Sequence, residues 1–403
     1  MTNEVKNVPE LRFPEFGGEW EEKSIGDLGS FYYGKSAPKW SITKDATIPC
    51  VRYGELYTKH KGIVKEIYSY TNIDSNNLRF SEGGEILVPR VGEDPMDFAK
   101  CSYLPFSGIA IGEMISVYNT SQNPIFITTY FNSQMKYEFA KRVEGASVSN
   151  LYYSYLTNIN MKIPTINEQQ KIGEFFSKLD RQIELEEQKL AKLEEQKKGY
   201  MQKIFSQELR FKDEKGNEYP EWEEKKLGDI LERGNKDKVN EIGKYRRLTI
   251  SLHGKGLYEV KQERKTKDTR PFYQRFEGEL IIGKQNFFNG SIAIVTREFN
   301  GFICSNAIMS YKISNHMNRK YLLEYLLQND FLRKNEYLAD GTGQKELSEK
   351  KFEELEIKLP NSINEQQKIG VFLERLDNLI EKQSNKLELL KQRKKSFLQK
   401  MFV

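Results

Sequence analysis

With only 3 cysteines, 3 histidines and 3 tryptophans in 403 residues, the chain lacks the material for several familiar chemistries. Cys50, Cys101 and Cys304 are scattered and odd in number, which excludes a disulfide framework and fits reduced thiols. His60, His253 and His316 lie neither beside a cysteine nor at helical i, i+4 spacing, so no zinc-type or other metal site is expected, and general acid-base chemistry by histidine is poorly supplied. No apolar run approaches the roughly 18 residues of a membrane span. Nothing hydrophobic follows Met1-Thr2-Asn3-Glu4-Val5-Lys6, so no secretory signal is visible and a cytoplasmic home is expected. The net charge of +5 is too mild to announce a polyanionic partner by itself.

What is present is a duplication. The forty residues Ile166 to Phe205 recur without a gap as Ile363 to Phe402, with 21 identities. Both copies open on the same eight residues, Ile166-Asn167-Glu168-Gln169-Gln170-Lys171-Ile172-Gly173 and Ile363-Asn364-Glu365-Gln366-Gln367-Lys368-Ile369-Gly370, and such a repeat has to be explained before anything else. Apolar residues then alternate three and four apart through Ile172, Phe176, Leu179, Ile183, Leu190, Leu193, Tyr200 and Ile204. The second copy keeps the frame through Ile369, Leu373, Leu376, Ile380, Leu387, Leu390, Phe397 and Met401. A seam sustained over that length argues for coiled coil, and two seams in one chain predict a pair. Thr165-Ile166-Asn167-Glu168 and Ser362-Ile363-Asn364-Glu365 read as capping boxes just after Pro164 and Pro360. A helix from about Asn167 to Phe205 would be about 57 Å long, a spacer rather than a core helix.

A shorter repeat opens each intervening block: Glu10-Leu11-Arg12-Phe13 with Glu19-Trp20-Glu21-Glu22-Lys23, and Glu208-Leu209-Arg210-Phe211 with Glu221-Trp222-Glu223-Glu224-Lys225. The order is block, helix, block, helix, and it is circular, because the final helix could hand over to the first Glu-Leu-Arg-Phe element. Antiparallel helices would then give the chain an approximate two-fold axis. Within the blocks, Glu85–Val88, Ile109–Ile111, Ile125–Ile127, Glu279–Ile282, Ile292–Val295 and Ile308–Tyr311 read as strands. Tyr321–Leu327 and a weaker patch from Phe131 to Phe139 read as helix. The expected fold class is α+β, with mixed α/β domains at 1–164 and 207–361 separated by two long antiparallel coiled-coil helices at 165–206 and 362–403 in a pseudo-two-fold, circular arrangement.

This ordered set of motifs resembles the specificity subunit of type I restriction-modification systems, and the resemblance covers the whole chain. Gly83-Gly84-Glu85-Ile86-Leu87 and Gly278-Glu279-Leu280-Ile281 also look like that family's Gly-Asp-Ile-Leu strand start, with Glu in place of Asp. The resemblance implies two target recognition domains, each reading one half of a split double-stranded DNA sequence, and a coiled coil that fixes their separation. It also implies two methyltransferase subunits docked on the helices, with restriction or motor subunits joining through them. In such a subunit no residue is catalytic and no cofactor is held; adenine methylation and DNA cleavage belong to the partner chains. A rival reading is a coiled-coil scaffold whose duplicated ends bind other proteins.

Base edges want Arg or Lys for guanine and Asn or Gln for adenine, and phosphates accept any basic or hydroxyl group. In the first block that chemistry points to Tyr32, Tyr33, Lys35, Arg52, Tyr53 and Arg90, where basic and aromatic residues interleave. In the second it points to Arg246, Arg247, Lys255, Lys261, Arg264, Lys265, Lys284, Gln285 and Asn286; from Lys236 to Arg275 there are 12 Lys and Arg against 5 Asp and Glu. Each of these residues taken singly also suits an ordinary solvated side chain. Lys391, Arg393, Lys394 and Lys395 suit either a helix C-terminus or a phosphate contact. Gly29 to Ser36 matches the P-loop formula, but Pro38 follows within two residues and three aromatics crowd the loop, which argues against a phosphate cradle. Trp20 and Trp222 are expected to anchor packing. Glu186 and Lys197, polar at seam positions, suit register or a partner contact.

Overall fold

A computed structural model describes residues 7–260, 270–338 and 346–403. It divides into two compact units, 1–188 with 385–403, and 189–384. The cuts fall inside the long helices, so each unit holds one globular block with parts of both.

In the first unit, β1 (Glu21–Ser24) pairs antiparallel with β9 (Asn160–Ile163), closing the block at its base. Above it β2 (Gly29–Tyr33), β8 (Ile115–Thr120), β5 (Glu85–Pro89) and β6 (Ser102–Leu104) form a sheet in the order β2-β8-β5-β6. A second sheet has β3 (Ile48–Val51), which leads into α1 (Tyr53–Thr58), between β4 (Ser69–Thr71) and β7 (Ala110–Ile111), with the β3–β7 pair parallel. Strand β5 is buried along its whole length, as its unbroken apolar run requires.

The second unit repeats the plan. Strands β10 (Trp222–Lys226) and β19 (Glu356–Pro360) close the base. One sheet runs β11 (Leu231–Arg233), β18 (Ile308–Ile313), β15 (Leu280–Gly283), β16 (Ile292–Ile294). The other runs β13 (Leu257–Val260), β12 (Arg247–Ile250), β17 (Ile303–Ser305), β14 (Phe272–Gln274), again with one parallel pair, β12–β17. The ladders align the blocks residue by residue. Phe31 faces Tyr118 where Arg233 faces Tyr311, and Ile86 faces Tyr118 where Leu280 faces Tyr311. Tyr32 and Tyr33 therefore correspond to Gly234 and Asn235, and Arg90 to Lys284.

One expected strand is a helix. Ile125–Ile127 lies in α2 (Pro124–Gln134), because Asn123 caps it by accepting from the Phe126 amide at 2.9 Å and Pro124 occupies the first turn. A three-residue apolar run carries no period to separate the two readings. Its counterpart in the second block is α4 (Arg319–Leu326), capped the same way by Asn318, whose side chain accepts from the Tyr321 amide at 2.9 Å.

The long helices are α3 (Ile166–Phe205) and α5 (Ile363–Lys400), and each unit contains an antiparallel pairing of their segments. In the first unit Phe175 meets Phe397 at 5.1 Å, Phe176 meets Phe402 at 5.8 Å, and Asp180 and Glu186 form ion pairs with Lys394 and Lys386. In the second, Tyr200 meets Phe372 at 5.1 Å and Lys197 pairs with Asp377 at 2.6 Å. The basic C-terminal segment is thus partly neutralised by acids of α3, with Lys391 on Glu187 as well. The seams also enter the block cores: Ile172, Phe176, Met401 and Phe402 pack with Trp20 and Phe126, and Ile204, Ile369 and Leu373 pack with Tyr321 and Tyr311. Among the described residues no helix is long and apolar enough to cross a membrane.

The capping-box glutamates do something other than cap. Arg12 forks onto Glu168, with Nε to Oε1 at 2.8 Å and Nη2 to Oε2 at 2.7 Å, and its guanidinium also donates to the Gly17 and Gly18 carbonyls. Arg210 forks onto Glu365 at 3.3 and 3.1 Å and donates to the Tyr219 and Pro220 carbonyls. The next residue completes the joint. Gln169 accepts from the Asn123 amide at 3.0 Å and donates to the Pro164 carbonyl at 2.8 Å; Gln366 does the same with Asn318 and Pro360, both at 2.9 Å. Gly173 and Gly370 keep the approach open, since a Cβ there would stand 2.9 and 2.4 Å from the Asn123 and Asn318 Oδ1 atoms. The two repeats are therefore halves of one joint that fixes a block to the start of a long helix.

Candidate nucleic-acid interface

The first-block candidates converge on one turn, Gly112–Met114. Its backbone binds three segments at once: Gly112 donates to the Val51 carbonyl at 3.0 Å, Glu113 to Ser36 at 3.0 Å, and Met114 accepts from the Arg90 amide at 3.1 Å. Lys35 donates its own amide to Ile111 at 2.8 Å. The chain between Tyr33 and Pro38 can lie this close only because of Gly34, where a Cβ would be 2.1 Å from the Gly112 oxygen. Ser36 and Ala37 follow with φ of 64° and 63°, a left-handed pair that turns the segment away from the sheet. The segment is strand followed by a turn and a short 3-10 helix at Lys39–Ser41, and so has none of the strand-to-helix geometry of a phosphate loop.

Around this turn the side chains stack in pairs. The Arg90 guanidinium sits 4.6 Å from the Tyr33 ring centre and 5.8 Å from that of Tyr152, and Tyr33 also meets Tyr153 at 4.5 Å. Arg79, which sequence reasoning missed, lies 5.0 Å from the Tyr32 ring and donates to the Tyr33 carbonyl at 3.0 Å. Its only sequence signal is the basic-aromatic dipeptide Arg79-Phe80. Burial pushes the Tyr32 phenol up to about 12, with Glu85 adding to the rise and Arg79 opposing it; burial also raises that of Tyr33. Both hydroxyls stay protonated at neutral pH and can donate. Lys35 reaches the Asn76 carbonyl at 3.2 Å and is exposed. Arg52 is half-buried at the head of the helix Tyr53–Thr58, while Tyr32 and Tyr53 lay part of their rings on the apolar cluster around Val51 and Leu87.

In the second block the candidates fall into two groups. Lys284, Gln285 and Asn286 lie on the turn between β15 and β16, and Lys255 lies on the neighbouring turn. His253 donates to Asn289 at 2.8 Å and Gly254 to Gly290 at 2.9 Å, binding the two turns together. Lys255, Gln285 and Asn286 are exposed there. Arg246 and Arg247 stand at the other end of β12, about 10–13 Å away at the strand rise. The Arg246 side chain forks onto Glu259 and lies 4.5 Å from the Phe302 ring; Arg247 lies 4.5 Å from the Phe272 ring. Lys261, Arg264 and Lys265 lie outside the described residues. Arg275, not singled out from sequence, is buried and donates to the Asn235 carbonyl at 2.9 Å, which is the place Arg79 takes on Tyr33.

Trp20 is buried edge-on against Phe126 and Phe402, and Trp222 packs on Tyr321, so both anchor the blocks to the helices. Glu85 is buried and accepts the Gly83 amide at 3.0 Å, and Glu279 accepts the Ser310 hydroxyl at 2.9 Å. The acid of the Gly-Glu strand start is a structural acceptor in both blocks.

The profile of the type I restriction modification DNA specificity domain matches this chain twice, over residues 17–195 and 219–392. The chain belongs to that family. Its members are specificity subunits, which select DNA sequence and are not themselves the catalytic chains. The subunit is similar to the type I restriction enzyme MjaVIII specificity subunit of Methanocaldococcus jannaschii, with 22% identity over 425 aligned positions covering 98% of this chain and 93% of that one. It is also similar to the putative type I restriction enzyme MjaX specificity subunit of the same organism, 28% identical over 217 residues and 49% of each chain. Among solved structures it shares its fold with the type I restriction-modification S subunit from M. genitalium, at a TM-score of 0.62 and 16% identity over 98% of this chain and 99% of that one. A chain from a study of complex assembly and conformational transition of the type I R-M system aligns at a TM-score of 0.52 and 14% identity, covering 96% and 98%.

Proposed function

We propose that the blocks at residues 1–164 and 207–361 are two target recognition domains, each reading one half of a bipartite double-stranded DNA sequence, and that the helices at 165–206 and 362–403 set the distance between them. The observation that carries this reading is a contrast. The joints use the same Arg, Glu, Gln, Asn and Gly contacts in both blocks, while the turns above them carry different chemistry. In the first block the reading residues are Tyr32, Tyr33, Lys35, Arg52, Tyr53 and Arg90, with Arg79 added. In the second they are Lys255, Lys284, Gln285 and Asn286, with Arg246, Arg247, Lys261, Arg264 and Lys265 supplying phosphate contacts. Arginine and lysine suit guanine, and the exposed amides of Gln285 and Asn286 suit adenine.

The helices would dock two methyltransferase subunits, one for each half of the pseudo-dyad, and the restriction or motor subunits would join through them, in the cytoplasm. Adenine methylation and cleavage then belong to those chains, and the specificity subunit alone turns over nothing. Methylome sequencing of a host carrying this chain with its partners tests the reading. A single interrupted motif with methylated adenines in both halves is expected, and deleting one heptad from one long helix should change the gap while leaving both half-sites intact. A changed base preference in that variant would refute the division of labour, and a purified complex without sequence-selective, salt-dependent DNA affinity would favour a protein scaffold.

A further inference from the structure

The joints agree at their first turn but part company one turn later. In the second unit Lys197 bridges Asp377 at 2.6 Å and Glu324 at 3.1 Å, and Lys320 bridges the same two acids, closing a four-charge ring between α3, α4 and α5. The repeat places Asp180 and Lys394 at the corresponding positions of the first unit, and they pair with each other. The block's share of the ring is missing, because the capping asparagines align α2 with α4 so that Ile125 replaces Lys320 and Thr129 replaces Glu324. In place of the ring, the first unit has a cavity of about 720 Å³ lined by those four residues among others.

Its lining is not that of an idle gap. Eight lysines and four carboxylates contribute, a surplus of four positive charges. Four of the lysines are tied to acids in the lining, Lys65 to Glu184, Lys61 and Lys391 to Glu187 and Lys394 to Asp180, and Lys100 is held by Asp97 beside it. Lys136 and Lys395 have no carboxylate partner among the described residues and are exposed. Two buried polar atoms point to an absent hydrogen-bonding partner: His60, only 7% exposed, has no partner at Nε2, and Ser177 has none at Oγ. Both residues line the cavity, and the His60 ring lies 5.6 Å from that of Tyr68. Burial holds the imidazole below its ordinary value, so at neutral pH it is uncharged and presents both a donor and an acceptor.

We propose that this cavity binds a phosphorylated organic ligand of nucleotide size, its phosphates on Lys136 and Lys395 and its aromatic body among Tyr68, His60 and Ser177. The volume is within the usual range for small-molecule sites, about 300–1,000 Å³. Lysine serves phosphate as a compact charge, and a surplus of four matches a di- or triphosphate better than a lone carboxylate. The His60 and Tyr68 rings in the lining offer aromatic surface to a heterocycle, which a bare inorganic anion lacks. Among the described residues the second block fills the equivalent place with its four-charge ring, so one ligand is expected per chain.

Isothermal titration of the full chain with ADP, adenosine and inorganic pyrophosphate, at fixed ionic strength, tests the proposal. One saturable ADP site is expected, with adenosine and pyrophosphate each weaker. The double variant K136Q/K395Q should weaken ADP by about tenfold or more without moving the melting temperature of the unliganded protein. I125K/T129E, which installs the second block's charges, should remove binding, and Arg90→Ala should leave it unchanged. Absence of ADP binding, an unaltered affinity in K136Q/K395Q, or pyrophosphate as tight as ADP would overturn the proposal. Loss of binding in Arg90→Ala would also overturn it, by placing the phosphates on the DNA face, and that arm keeps this test separate from the DNA-reading proposal.

Discussion

The joints of the two blocks match contact for contact while their turns do not, and the physical tasks explain why. A joint must satisfy one guanidinium, one carboxylate and two amide groups inside a packed corner, and Glu168 and Glu365 are 1% and 0% exposed. Any change of partner there leaves a charge or a hydrogen-bonding group without water, so the same residues recur. The turns satisfy their backbones with backbone, as Gly112 does on Val51 and Gly254 on Gly290, which leaves the side chains free to change. Tyr32 and Tyr33 can therefore become Gly234 and Asn235 without disturbing the ladder beneath them. A duplicated fold in which specificity varies and geometry persists needs this separation.

The largest expected effect tests the sameness of the joints. Glu168→Ala strands Arg12, whose other contacts are carbonyls, and Glu365→Ala strands Arg210, which keeps two carbonyls and a solvent-exposed Glu221 at 3.5 Å. Breaking such a buried pair costs about 3–5 kcal/mol. Urea unfolding of each variant should show losses of that size and within about 1 kcal/mol of each other, given the usual scatter for equivalent sites. A much smaller loss in one would mean that the two joints are not equivalent and that the repeat is only geometrical.

A middling effect tests the difference of the turns. Arg90 and Lys284 occupy the same position after β5 and β15, but Arg90 is stacked between tyrosines whereas Lys284 follows a glycine into an amide-rich turn. Truncating either to alanine should cost about 1–3 kcal/mol of discrimination, and each should relax a different half-site, as read by binding-site selection in the assembled complex. If both variants relaxed the same half, the assignment of one half-site to each block would fail. Loss of affinity without loss of preference would instead mark these residues as phosphate contacts.

How far the sequence alone could carry these distinctions follows from what each depends on. The long helices were legible because a heptad seam is a local, repeated pattern, and the antiparallel pairing followed from there being two of them. The capping-box reading placed the helix starts, at Ile166 and Ile363, but not the joints, since a Glu three residues past a Thr or Ser suits a cap without naming another partner; only tertiary contact reveals the arginine arriving from about 155 positions away. The helix at Ile125 was misread because its pattern is three residues long. Arg246 looked like part of a basic stretch, yet Glu259, thirteen residues on, meets it across the β12–β13 ladder. Arg79 was passed over because its role comes from a long-range backbone contact, the Ile111 amide donating to its carbonyl at 2.9 Å, that brings it to Tyr32. Ion partners and stacking partners are long-range facts, and charge counting along the chain cannot supply them.

The smallest expected effect concerns acid, and it separates the second block's charge ring from the single pair in the first. Burial alone would raise the Asp377 carboxyl, but hydrogen bonds from Lys197 and Lys320 outweigh it and hold the group below its ordinary 3.8. A depressed folded value means stability that is present above the unfolded value and lost as pH falls through the folded one, so the ring weakens only below about pH 4. Burial would lower the Lys320 ammonium, and Glu324 and Asp377 outweigh that and raise it above 10.5. Its contribution is therefore complete below the unfolded value and is lost as pH rises past the folded one. Because Asp377 is about a third exposed, its share is discounted to about 1 kcal/mol. Asp377→Asn should remove that much stability at pH 7 and leave the remaining acid dependence flatter below pH 4, whereas Asp180→Asn, lacking the second lysine and the second acid, should move stability by less than half as much. Equal effects would mean that Lys320 and Glu324 add nothing to the ring, and the contrast between a locked second block and an open first one would lose its energetic basis.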